Sequence, residues 1–84
     1  MRHAGPATLA RLAPVLAQLR DLAGLKERSH GIFYRGGRAF LHFHEDASGD
    51  FADLRRDDGD FERFRVVDAA EQLRLMENVR ALLR

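Results

Sequence analysis

The sequence predicts one α+β domain: an N-terminal helix, an antiparallel meander of four or five strands and a C-terminal helix, with both helices on one face of the sheet. Three observations predict it. Apolar residues recur at helical spacing near both ends, they switch to short alternating runs between Leu25 and Val67, and Gly and Asp clusters punctuate that middle stretch. At 84 residues the chain has room for one domain, 1–84, with residues 1–7 expected to be flexible. Hydrophobic residues at 45% and six Phe are enough to close a modest core, so the composition is not that of a disordered chain.

In the first element Leu9, Leu12, Leu16, Leu19 and Leu22 fall on one helical stripe, leaving Arg11, Gln18 and Arg20 outside it. Thr8 is a candidate cap and Gly24 a candidate left-handed stop, while Pro14 either kinks the helix or restarts it. Five strands are then expected: Leu25–Arg28, Ile32–Arg35, Arg38–His44, Phe51–Arg56 and Glu62–Val66. Asp68 with Glu71 three residues later is a capping-box signal, and Leu75, Met76, Val79, Leu82 and Leu83 give the last helix a wide apolar face.

The turns sort the strand faces. Gly36-Gly37 is a two-residue hairpin signal, which pairs Tyr34 with Ala39 and Ile32 with Leu41. A turn at Asp46–Gly49 pairs His44 with Phe51, His42 with Asp53 and Leu41 with Leu54, and the turn at Asp57–Asp60 then sets Leu54 against Phe64 and Ala52 against Val66. These registers put Ile32, Tyr34, Ala39, Leu41, Phe43, Ala52, Leu54, Phe64 and Val66 on one face. The other face receives Phe33, Arg35, Arg38, Phe40, His42, His44, Phe51, Asp53, Arg55, Arg63 and Arg65, a basic and aromatic set.

Two helices cover one side of a four-stranded sheet, so this outer face is the expected working surface of a non-catalytic protein. Three Phe on an open face point first to a homodimer or a protein-binding module, with Phe33, Arg35, Arg38, Phe40, His42, His44, Phe51, Arg55, Arg63 and Arg65 as contact residues. The same rings and guanidinium groups suit nucleic acid or another anionic ligand, by stacking and phosphate neutralisation. A third reading is a metal site: His42-x-His44 on a strand aims both imidazoles to one side, and Asp53 is expected opposite His42, a two-His, one-carboxylate set.

Several classes are excluded or unsupported. With no Cys there is no disulfide, thiolate nucleophile or Cys-ligated metal centre. Ser29 and Ser48 lie in expected turns outside any nucleophile motif, and no glycine-rich phosphate loop opens a helix, so no catalytic residue and no cofactor is assigned. A net charge of +1 argues against a whole-domain polyanion binder. No apolar run approaches the ~18–20 residues of a membrane span, and the first residues lack a signal-peptide core, so a cytoplasmic protein without membrane partners is expected. Thirteen of the fourteen basic residues are Arg, which reads as GC-rich bacterial coding bias.

The stretch Leu22–Arg56 contains Gly31–Phe33, the Gly36-Gly37 turn, and then Arg38 and Phe40 leading into a strand and a second turn. In this order it resembles small uncharacterised bacterial proteins and, more distantly, the YjbR family. That resemblance implies an α+β double-wing domain and a DNA-binding role. HFHED is not part of the family pattern, and no family active site maps onto this chain.

Overall fold

A computed structural model describes residues 1–84. The chain forms β1 (Arg2–His3), α1 (Pro6–Arg11), α2 (Ala13–Arg20), β2 (Lys26–Ser29), β3 (Ile32–Arg35), β4 (Arg38–Asp46), β5 (Gly49–Arg55), β6 (Phe61–Arg65) and α3 (Ala69–Leu82). The α+β class holds. All strand pairs are antiparallel, in the order β2-β3-β4-β5-β6, and the sheet has six strands rather than four or five. The additional strand is β1, which pairs Arg2 with Glu45 and His3 with His44 on β4. Residues 1–7, expected to be flexible, thus contain β1 and the start of α1. The backbone N–H of Ala4 donates to the Phe43 carbonyl at 3.0 Å, and that of Gly5 donates to the Glu45 carboxylate. No helix is long and apolar enough to cross a membrane.

Pro14 restarts the first helix. It has no N–H for the preceding turn, the backbone at Leu12 leaves helical values (φ −90°, ψ 5°), and α2 begins with Pro14 in its first turn. Gly5, not Thr8, caps α1, with Pro6 at the first helical position. Thr8 instead lies buried, accepting from Arg11 Nη2 at 2.8 Å beside Asp50 on β5. Arg11 also donates to Asp50 at 3.2 and 3.3 Å, which ties α1 to the sheet. The Asp68 capping box forms as the sequence indicates: the side chain accepts from Glu71 N–H at 2.8 Å, and the Glu71 carboxylate accepts from Asp68 N–H at 3.1 Å.

One side of the sheet packs against the helices through sixteen buried apolar residues, among them Leu12, Leu16, Leu41, Phe43, Leu54, Leu75 and Val79. The β4–β5 register is the expected one, with Leu41 opposite Leu54, His42 opposite Asp53 and His44 opposite Phe51. The β5–β6 register lies two residues from the expected one: Leu54 faces Glu62, and Ala52 faces Phe64. A two-residue shift keeps every side chain on its face.

The β3–β4 hairpin differs in a way that matters more. Tyr34 pairs with Ala39, but Phe33 pairs with Leu41, so Phe40 is an extra residue in β4 and a β-bulge. Phe33 and Phe40, expected on the outer face, are buried in the core at 1% and 3% exposure. Ile32, Tyr34 and Ala39, expected inside, are only partly buried.

Gly31 turns β2 into β3 at φ +79°, and a Cβ there would lie 2.7 Å from a Leu9 methyl group; Gly36, at φ +57°, has nothing within 4 Å of its Cβ position. Both Gly→Ala changes incur the left-handed cost of about 1–2 kcal/mol. Only Gly31→Ala adds a clash with a buried side chain, so in urea unfolding it is expected to lower stability by about 1 kcal/mol or more beyond Gly36→Ala. Equal losses would show that Leu9 yields freely.

Candidate metal centre on the open sheet face

The uncovered face is built by alternation. In β4, Leu41 and Phe43 point into the core, which sends His42 and His44 outward; in β5, Ala52 and Leu54 do the same for Asp53. Antiparallel pairing then brings the three together. His42 Nδ1 and His44 Nε2 are 2.7 Å apart, one nitrogen donating to the other, and His44 Nε2 is 3.3 Å from Asp53 Oδ2. All three potential ligand atoms lie within 4.8 Å of one another.

Two further rings wall the cluster. His3, placed by β1, stacks on His44 with centroids 4.8 Å apart, and Phe61, from β6, lies 4.9 Å from His42. The His44 and Asp53 side chains are consequently only 14% and 11% exposed. Neither His3 nor Phe61 is among the sequence-derived site residues. His3 falls in the stretch expected to be flexible, and Phe61 lies just outside the expected strand, so the missing signal was the length of two strands.

Asp53 is also the anchor of an ion pair. Arg63 Nε donates to Oδ1 at 2.8 Å and Arg63 Nη2 to Oδ2 at 2.9 Å, the two-pronged geometry that suits a guanidinium and a carboxylate. Burial pushes the Asp53 carboxyl upward, but the Arg63 hydrogen bonds and charge outweigh it and the net shift is downward. Burial, and next the neighbouring His44, hold His42 below the ordinary imidazole range. A neutral imidazole beside an ionised carboxylate is the protonation state a cation requires.

The remaining sequence-derived residues scatter. Arg65 is paired with Glu71 at 2.7 Å, and Phe51 sits half-buried opposite it. Arg55 donates Nε to the Ala39 carbonyl and Nη1 to the Gly59 carbonyl, both at 2.7 Å, with its guanidinium 4.3 Å from the Phe61 ring centre. Arg35 and Arg38 lie at the far end of the sheet, beside Phe40 and away from the histidines. His42, His44 and Asp53 thus come together through the expected β4–β5 register, the shifted β6 brings Arg63 to Asp53 where Arg65 was expected, and Phe33 and Phe40 leave the face for the core.

No family model, no curated protein and no solved structure matches this chain.

Because the fold holds His42 neutral, the unfolded chain binds more protons once the pH nears the ordinary imidazole value of about 6.5. Stability contributed by the neutral ring is present above that value and is lost as pH falls toward the lower folded one. In the presence of a chelator, denaturant midpoints are expected to drop from pH 7.5 to 5.5, and to drop less in His42→Gln. An identical pH dependence in both proteins would place the titration elsewhere.

Proposed function

We propose that the protein is a non-catalytic binding module whose open sheet face takes up one divalent transition-metal ion of the Zn²⁺ class through His42, His44 and Asp53. The observation that carries this reading is the convergence of two imidazole nitrogens and a carboxylate oxygen within 4.8 Å on a face that no helix covers. Tetrahedral zinc with bonds near 2.0–2.1 Å separates its ligand atoms by about 3.3 Å. The His44–Asp53 separation is already 3.3 Å, whereas the two imidazole nitrogens, 2.7 Å apart, must part and the set, now spread over up to 4.8 Å, must draw in, so uptake of a cation requires the side chains to rotate. The ion would take the place of the proton now shared between His42 and His44. Nitrogen with oxygen donors favours zinc and its neighbours over calcium or magnesium.

Arg63 works against the ion. It occupies both oxygens of Asp53 and places a positive charge beside the site, so binding requires the carboxylate to turn one oxygen to the metal and keep the other on the guanidinium. This makes Arg63 a tuning residue. Its presence sets a modest affinity, suited to reversible uptake rather than permanent structural metal.

A second reading, a homodimer formed through the same face, draws on Phe61, which starts the edge strand β6 and is 40% exposed. With Phe33 and Phe40 in the core, this reading has lost two of the three rings that suggested it, and so has stacking on nucleic acid. The cysteine-free, Arg-rich composition supports placing the module in a bacterial cytoplasm.

Titration of chelator-treated protein with Zn²⁺ in a calorimeter is expected to show one ion per chain. The double change His42→Ala and His44→Ala is expected to abolish the signal, and Arg63→Gln to tighten binding about tenfold, the equivalent of about 1.4 kcal/mol. Absence of saturable uptake, or uptake that survives the double change, overturns the proposal.

A further inference from the structure

The far end of the sheet carries a second polar feature, independent of the histidines. Arg35 and Arg38 flank the Gly36-Gly37 turn and stand directly opposite one another. Like charges in that position repel, and strands usually avoid the arrangement or neutralise it. Neither guanidinium has a carboxylate partner among the seven ion pairs of the molecule, and neither makes a side-chain hydrogen bond.

These two arginines line a concavity of about 150 Å³ with Arg55 and Arg56 as its other cations. It opens between the β3–β4 turn and the β5–β6 turn. Arg55, a lining residue of the hollow, is fixed by its bonds to the Ala39 and Gly59 carbonyls, has no carboxylate partner and makes no hydrogen bond through Nη2. Arg56 is held at the rim by Asn78, at 3.0 Å, and Glu62, at 3.4 Å. Phe40 forms the floor, with the Arg35 guanidinium 5.7 Å from its ring centre. Arg38 crosses to the second turn, where its Nη2 lies 3.9 Å from the Cβ position of Gly59. Asp57 is the one carboxylate in the wall and forms no ion pair.

We propose that this hollow binds one phosphate-type oxyanion of a small molecule, gripped by Arg35 and Arg38 against the fixed guanidinium of Arg55. Guanidinium groups match the geometry of phosphate oxygens two at a time. The oxyanion removes the repulsion between the opposed arginines, so part of the binding free energy is relief of a strain built into the hairpin. A small molecule fits better than a nucleic acid. A polyanion needs a track of free cations, and beyond the hollow Arg63 and Arg65 are committed to Asp53 and Glu71. The site needs no metal.

The test is an amide-correlation NMR titration of the full, chelator-treated chain with inorganic phosphate, against sodium chloride at matched ionic strength. The expected result is saturable shifts at Gly36, Gly37, Arg38 and Gly59 with phosphate alone, weakened about tenfold or more in the double variant Arg35→Gln and Arg38→Gln. Both residues are exposed, so the variant keeps its fold, and removing the opposed charges is expected to raise its unfolding midpoint in phosphate-free buffer. Shifts that grow linearly, or equally with chloride, mean an adventitious ion only and overturn the proposal. So does saturation that persists in the variant. Tighter binding of a single-stranded oligonucleotide lacking terminal phosphates, with shifts spread along β5 and β6, overturns the small-molecule assignment in favour of nucleic acid.

Discussion

The pairing of β4 with β5 is the constraint on which the rest of this structure depends. A single register sets Leu41 against Leu54 and Phe43 against Ala52 on the helix side, and in the same stroke His42 against Asp53 on the other. Side chains alternate with a period of two, so a slip of one residue would bury the histidines and the aspartate and expose four apolar side chains. Burying an unpaired carboxylate and losing that apolar burial would each cost on the order of a few kcal/mol, comparable with the whole stability of a small domain. Core and candidate site therefore specify each other. The convergence of His42, His44 and Asp53 needs no extra device beyond the register that makes the core.

The same constraint explains what the sequence made legible. Turn chemistry at Asp46–Gly49 and the apolar alternation of β4 and β5 are local signals that agree, and together they imply the register that brings His42, His44 and Asp53 together. The capping box of α3 was equally readable, because both of its hydrogen bonds lie within four residues. The bulge at Phe40 was not. Both registers of the β3–β4 hairpin use the Gly36-Gly37 turn and leave an apolar set on one face; what separates them is volume. Bringing Phe33 and Phe40 inside, where Ile32 and Ala39 were expected, fills a core that a one-residue insertion alone makes accessible. Pattern counts residues and does not weigh them, so a choice decided by packing is invisible to it. The two-residue displacement of β6 was likewise silent, because it changes partners without changing faces.

β1 shows a different limit. A strand of two residues carries no periodicity, and its reason for pairing lies forty residues away: Glu45, at the edge of β4, accepts from the Gly5 N–H and from Arg2, which holds its carboxyl below the ordinary range. The Glu45–Arg2 pair itself is exposed on the arginine side and contributes little stability on its own. Its importance is positional. By anchoring residues 2 to 5 it lays His3 over His44 and encloses the cluster on one side, as Phe61 does on the other.

The outer face shows how charge is distributed once backbone geometry is fixed. A carboxylate as enclosed as Asp53 must be compensated, and the fold supplies a guanidinium and two imidazoles for one negative charge. The guanidinium meets both of its oxygens, His44 lies 3.3 Å from one of them, and His42 and His44 are hydrogen-bonded to each other. The centre thereby holds a surplus of potential acceptors, two imidazole nitrogens and a carboxylate oxygen within 4.8 Å of one another beside a single guanidinium. At the sheet end the surplus has the opposite sign, with guanidinium donors that no carboxylate meets. Both surpluses follow from strand registers, one through alternation along β4 and β5 and the other through the tight turn that sets Arg35 against Arg38. A composition close to neutral conceals the arginine cluster because acids elsewhere in the chain balance it, and only the spatial sorting imposed by the sheet separates the histidine–aspartate centre from the arginine-rich end.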